Sequence, residues 1–250
     1  MADRPAAASD ASASIAPMLR RPRPARAAGI VLAAGLGLAA CGGSSSSDNG
    51  VAKKAPTAVV AAAKQAADTA TSVHLSGSIA AAGAPTTFDL RLVKGRGGTG
   101  TLSVNGSSFD LIRVGSTIYV KGSAAFYRQF SPAAAQLLQG KWLKGQAGSG
   151  SFAKIGPFTD LTSFVDQALT PQSTTLTKGA TTTVAGQKAI QITDGPNGTL
   201  SVATTGRPYP LQIAKTGASG GTITFAGWNA SVPLTAPADS VDIATLQAGK

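Results

Sequence analysis

The sequence predicts an α+β protein built on one large antiparallel sheet with helices packed on one of its faces. Three observations predict it. About eleven short segments read as strands, each bounded by glycine-rich turns. They come in the order helix, about five strands, two helices, about six strands, which is not the alternation of a parallel α/β sheet. No stretch within residues 52–250 looks like a linker, and each half has too few core residues to stand alone. A sheet of that many strands curls strongly instead of lying flat.

The elements follow in chain order. "AKKAPTAVVAAAKQAADTATSVH" is helix-prone from about Pro56 to Ala70, with Pro56 suited to a first helical turn and Val59, Ala63, Ala66 and Ala70 on one face. The period then changes. "SVHLSGSIAA", "TTFDLRLVKG", "GTGTLSVNG", "SSFDLIRVGS" and "TIYVKGS" read as strands, and Phe88-Asp89-Leu90-Arg91-Leu92 alternates apolar and charged residues, so one face is buried and the other meets water. "SPAAAQLLQGKW" has Ser131 as N-cap, Pro132 at the first helical position and Gly140 as stop. "FTDLTSFVDQALTP" is a second short helix, with Leu161, Phe164, Val165 and Leu169 on one side and Pro171 ending it. Strands resume with "STTLTKG", "ATTTVAG", "QKAIQITD", "GTLSVATTG", "YPLQIAKTG" and "GTITFAGW", and "VPLTAPADSVDIATLQ" closes the chain as an extended segment ending in a helical turn.

The N-terminal part carries the clearest functional signal. Residues 18–41, "MLRRPRPARAAGIVLAAGLGLAAC", contain a basic region from Arg20 to Arg26 and an apolar run of about a dozen residues. That run is too short for a permanent membrane span and fits a secretory signal. Leu38-Ala39-Ala40-Cys41 resembles the lipobox of bacterial lipoproteins, in which the thiol takes a diacylglycerol and the peptide is cut before the cysteine. Residues 1–40 are therefore a signal peptide, with Met18 an alternative start to Met1. Residues 41–51 are a lipidated Gly/Ser-rich tether, and 52–250 a single domain. Two or three acyl chains anchor stably where one does not. Cys41 is the only cysteine, so the mature chain carries no disulfide although it is exported.

All eleven acidic residues are Asp, and the net charge is +11. Without residues 1–40 the chain keeps 17 of its 22 Lys and Arg against 9 of its 11 Asp, about +8. Such a surface attracts anionic headgroups or acidic wall polymers. Nucleic acid is not an expected partner, because the cations are dispersed and not interleaved with aromatics.

The lipobox, the opening helix followed by "SVHLSGSI", "FDLIRVGSTIYVKGS" followed by "GKWLKG", "FTDLTSFVDQAL", and the closing "GTITFAGWNASVPLTAPADSVD" together resemble the LolA-like lipoproteins of actinobacteria, of the LppX, LprA, LprF and LprG type. The resemblance covers essentially all of residues 52–245. It implies a strongly curved antiparallel half-barrel with helices on its concave face, and between them an apolar cavity holding acyl chains of lipids or lipoglycans. The implied role is lipid transport or presentation in the cell envelope, on the outer face of the membrane, by a monomer working with an envelope transport partner.

On that reading the cavity is lined by Phe88, Leu90 and Leu92, by Leu102 and Val104, by Phe109 and Leu111, and by Leu161 and Phe164 from the helix. Leu137, Leu138 and Trp142 rim its mouth, where Lys141 and Lys144 meet an anionic headgroup. The bland alternative is that Trp142 and Trp228 simply anchor the core. His74 is the sole histidine and has no carboxylate or thiol beside it in sequence, so neither a metal site nor a histidine-assisted nucleophile assembles, and no cofactor is expected. Asp89 and Asp110, in "TFDL" and "SFDL", alternate with apolar neighbours and read as solvent-facing, not as an acid/base pair. "GRGGTGTLSVNG" lacks the spacing and following helix of a phosphate loop. An enzyme is not expected. The remaining alternative is a structural or sensory envelope lipoprotein with a packed core, binding anionic wall polymer or a protein partner.

Overall fold

The structure, a computed structural model, describes residues 47–248 apart from 82–83, 129–134, 137 and 154. Cys41, Leu137 and the signal segment lie outside the described residues.

Helix α1 (Pro56–Asp68) begins with proline at its first turn and buries Val59, Val60, Ala63, Ala66 and Ala67. Strands β1 (Ser72–Ala81), β2 (Ala84–Val93), β3 (Gly97–Val104), β4 (Ser107–Val114) and β5 (Thr117–Gly122) follow as an antiparallel meander. Helix α2 (Ala124–Arg128) and strand β6 (Trp142–Gln146) lead to α3 (Leu161–Leu169). The α3 N-cap is Asp160, whose side chain accepts a hydrogen bond from the Ser163 N–H at 2.8 Å. The second meander comprises β7 (Thr177–Val184), β8 (Gln187–Thr193), β9 (Gly198–Ala203), β10 (Pro210–Lys215) and β11 (Gly221–Ala226). A last strand, β12 (Ser240–Asp242), and helix α4 (Ile243–Ala248) end the described chain.

All twelve strands form one open sheet, in the order β12-β6-β5-β4-β3-β2-β1-β11-β10-β9-β8-β7. Neighbours are antiparallel except β12 and β6, which are parallel. The strand inventory differs from the sequence reading at three places. "STTLTKG" and "ATTTVAG" merge into β7, whose register shifts between Lys178 and Thr181 around Gly179. A glycine inside a strand marks a bulge as readily as a turn. Strand β6 is only five residues long, and β12 three, each too short for alternation to declare it.

The buried face is set by β2, where Thr86, Phe88, Leu90 and Leu92 are buried while Thr87, Asp89 and Arg91 are exposed. Register carries that parity across the sheet. Phe225, Leu75, Leu90, Gly100, Leu111, Val120 and Leu143 form one cross-strand row through β11-β1-β2-β3-β4-β5-β6. Gly100 interrupts the row for a backbone reason. Its φ is +152°, and a Cβ there would lie 2.0 Å from the Asp89 carbonyl oxygen. Gly77 in β1 is similar, with φ +149° and the Thr222 carbonyl 2.0 Å away. These glycines let adjacent strands approach and coil, curving the sheet.

Helix α3 packs Leu161, Phe164, Val165 and Leu169 into the same cluster as this row, covering the concave face. Helix α1 closes a second cluster with Val51, Ile190, Ile192 and Val202. Tyr127 of α2 is fully buried; its hydroxyl accepts from the Gly122 N–H and donates to the Lys141 carbonyl, both at 2.9 Å. Burial raises its pKa, outweighing the bond from Gly122. One phenol thus holds both ends of the β5–β6 connection.

Candidate functional site

The concave face and its helical cover are the natural place for an apolar ligand. Phe88, Leu90, Leu92, Leu102, Phe109, Leu111, Leu161 and Phe164 all point to this space, each between 0% and 8% exposed, and belong to one contiguous cluster. Val104 is partly buried and packs against them. Side chains fill the volume that these residues enclose.

The residues assigned to a cavity mouth do not come together. Leu138 is buried in the same cluster. Lys141 contributes its carbonyl to the Tyr127 hydroxyl. Trp142 and Lys144 flank buried Leu143 on β6 and so face the convex side, where the Lys121 ammonium lies 6.0 Å from the Trp142 ring centroid. Trp228 stacks between Tyr209 and Phe225, with ring centroids 4.6 and 6.0 Å away, and donates its indole N–H to the Pro210 carbonyl at 3.3 Å.

One solvent-open hollow adjoins Lys144, between Tyr119, Phe152 and Ile243; another opening lies elsewhere. A shallow cleft with room of about 60 Å³, open to solvent, runs between the α1/α3 pair and β8–β10. Its apolar walls include Val60, Ala168, Leu169, Ile192, Leu200 and Ile213; Asp194, Asn197 and Lys215 stand at its rim. That room is well below the range of about 300–1,000 Å³ usual for preformed small-molecule sites, so a bound chain must displace side chains. Leu169 and Ile213 also belong to the main cluster, so the cleft floor is continuous with the packed concave face. Sequence reading missed this cleft. The signal was there in the alternation of Ile190, Ile192, Leu200, Val202 and Ile213, but helix and sheet meet here only through long-range packing.

Asp194 builds the rim. Its carboxylate accepts from the Gln172 N–H at 2.7 Å, from the Ser173 N–H at 2.8 Å and from the Ser173 hydroxyl. Burial pushes its pKa up, but these bonds and one from Asn197 outweigh burial and hold the carboxyl below the usual range. The linkage sign follows: stability from Asp194 is complete above the ordinary carboxylate pKa of about 3.9 and is lost as pH falls through the lowered native value. We expect amide exchange at residues 172–174, read by mass spectrometry, to quicken as pH drops below about 4, once corrected for intrinsic rates. In Asp194→Ala it should already be fast at neutral pH.

His74 and Asp89 meet on the convex face. His74 lies opposite Arg91, and its Nε2 is 2.9 Å from Asp89 Oδ1, with Arg91 Nη1 3.5 Å from the same oxygen. The carboxylate is fifteen residues away, so cross-strand register supplies a partner that sequence proximity did not. Among the described residues no group of three His, Cys, Asp or Glu side chains is placed to hold a metal ion, and no helix is long and apolar enough to cross a membrane.

No protein-family model matches the chain, and no curated protein does. Solved structures do. Lipoprotein LppX of Mycobacterium tuberculosis is 16% identical with a TM-score of 0.44, over 72% of this chain and 98% of that one. LprF from Mycobacterium bovis is 12% identical with a TM-score of 0.44, over 73% and 96%. The described residues form an open, curved twelve-stranded sheet with helices on its concave face.

Proposed function

We propose that the protein is an extracytoplasmic lipoprotein, anchored through acylated Cys41, that binds the acyl chains of a lipid or lipoglycan between its half-barrel and the α1/α3 pair. Its role is to carry or present that lipid in the cell envelope, without catalysis. The observation that supports this most directly is the apolar cleft beside α3, whose floor runs into the concave face. Chains entering there displace packed side chains, so uptake requires α1 and α3 to part from β8–β10. The exposed Lys64–Asp166 ion pair joins α1 to α3 on their outer side and contributes little to stability.

Native mass spectrometry of residues 42–250, produced in an actinobacterial host and then extracted with organic solvent, tests the reading. The expected result is a bound mass that extracts as acylated lipid. Ala168→Trp, which fills the cleft from a half-buried position, should remove that mass and leave the fold intact by circular dichroism. A second reading, a structural envelope lipoprotein, is favoured by one observation: the concave face is already filled by its own side chains. A clean apo mass that stays unchanged after incubation with envelope lipid would decide for it.

A further inference from the structure

The strands of the half-barrel end in two sets of turns. One end carries the β2–β3 turn with Lys94 and Arg96, the β9–β10 connection with Arg207, and the start of β8 with Lys188, all exposed. The opposite end has no charged residue in the β1–β2 or β3–β4 turns, but carries Lys121, Lys141 and Lys178 on or beside other strands, and Lys215 with Asp194 at the cleft rim.

The first end is where the chain arrives from Cys41. Asp48 bridges to Thr205, the Asn49 N–H donates to the Thr204 carbonyl at 2.9 Å, and the Asn49 side-chain amide donates to the Ala203 and Gly206 carbonyls at 3.0 Å each. Ser47 is the sixth residue after Cys41, a reach of at most about 20 Å. The cations share this rim. The Thr204 N–H donates to the Lys188 carbonyl, Arg207 donates to the Thr69 hydroxyl at 3.1 Å, and the Lys94 ammonium donates to the Asp68 carbonyl. Asn229 bonds both Thr71 and the Tyr209 hydroxyl, and so places the Tyr209–Trp228 stack between them. Half-buried Tyr and Trp beside Lys and Arg are the residue types that settle at headgroup depth.

We infer that this end of the half-barrel, centred on Lys94, Arg96, Lys188 and Arg207, is a docking face for the anionic surface of the membrane that holds Cys41. The inference rests on the lipoprotein reading, since the tether is what brings this end to the bilayer. Each cation near an anionic surface shifts docked over undocked molecules by about fivefold, and the effect fades beyond a Debye length. The docked face leaves the opposite end, with Asp194 and Lys215 at the cleft rim, pointing away from the bilayer.

The test uses the mature acylated chain reconstituted into vesicles of phosphatidylcholine, with or without phosphatidylglycerol, followed by hydrogen–deuterium exchange. Exchange at residues 94–97 and 204–209 should slow severalfold on the anionic vesicles and not at residues 215–221. The difference should disappear in high salt and in the triple variant K94E/R96E/R207E, and persist in the charge-matched K141E/K144E/K215E. If the first triple variant does not fold, the corresponding Gln variant replaces it and should lose most of the difference. Equal exchange on both vesicle types, with Cys41 shown to be acylated by intact mass, overturns the inference and spares the lipoprotein reading. Protection by a soluble anionic polysaccharide on neutral vesicles, with none from phosphatidylglycerol, overturns it in favour of wall polymer. An intact mass without acyl groups on Cys41 overturns the tether itself.

Discussion

Gly100→Val is expected to prevent the half-barrel from forming. The wild-type residue sits in β3 at φ +152°, where an L side chain is strained before any contact is counted. Its Cβ would lie 2.0 Å from the Asp89 carbonyl oxygen and 2.8 Å from the Leu90 Cα, both backbone atoms of β2 that cannot swing aside. Relief requires β2 and β3 to separate, and that pairing spans eight registered residue pairs in the middle of the sheet. The loss should be about 3 kcal/mol or more, against a stability of about 5–15 kcal/mol usual for a domain. Urea denaturation followed by circular dichroism measures it. A well-folded variant with an unchanged midpoint would show that β3 does not adopt this conformation. Valine at exposed Gly95, where no atom lies within 4 Å, is a milder control because only its own positive φ is strained.

Leu90→Ala should lower stability and raise ligand capacity together. Leu90 is 1% exposed, in the row that joins Leu75 to Leu111 across Gly100. Removing its branched end costs the transfer energy of the lost carbons and leaves a void, together about 2–5 kcal/mol. Because Gly100 brings no side chain beside it, few neighbours can close that void, which argues for the upper half of the range. On the proposed function, the same void extends the path from the cleft into the concave face. The variant should therefore retain a longer or additional acyl chain by native mass spectrometry while melting at a lower temperature. A destabilised variant with unchanged bound mass would separate the packed core from ligand binding.

These two positions show how unevenly the molecule can be read from its chain. The parity of β2 is plain in Phe88-Asp89-Leu90-Arg91-Leu92, because successive side chains in a strand must point to opposite faces. The stripe of α3 is plain for the corresponding helical reason, and its N-cap Asp160 and terminating Pro171 are local chemistry. Asp89 also faces solvent as its alternation required. The His74–Asp89 contact was hidden, since it depends on β1 and β2 pairing in one register out of several. Trp142 and Leu138, close in sequence and alike in hydrophobicity, part to opposite faces because β6 begins between them. Gly100 lies inside a segment read as a strand, and only the neighbouring strand reveals that it serves a close approach.

The sequence by itself determined the lipobox at Cys41 as a candidate anchor, most of the elements in their order, and which face of β2 and of α3 turns inward. Each of these follows from local chemistry or from the fixed period of the backbone. Tertiary structure alone decided that β1 pairs with β11, nearly 150 residues away, that the inward side chains fill the concave face, and that an opening remains between the α1/α3 pair and β8–β10. Those outcomes depend on long-range register and on whether side-chain volumes from distant segments match the space between sheet and helices, and no local pattern encodes that sum.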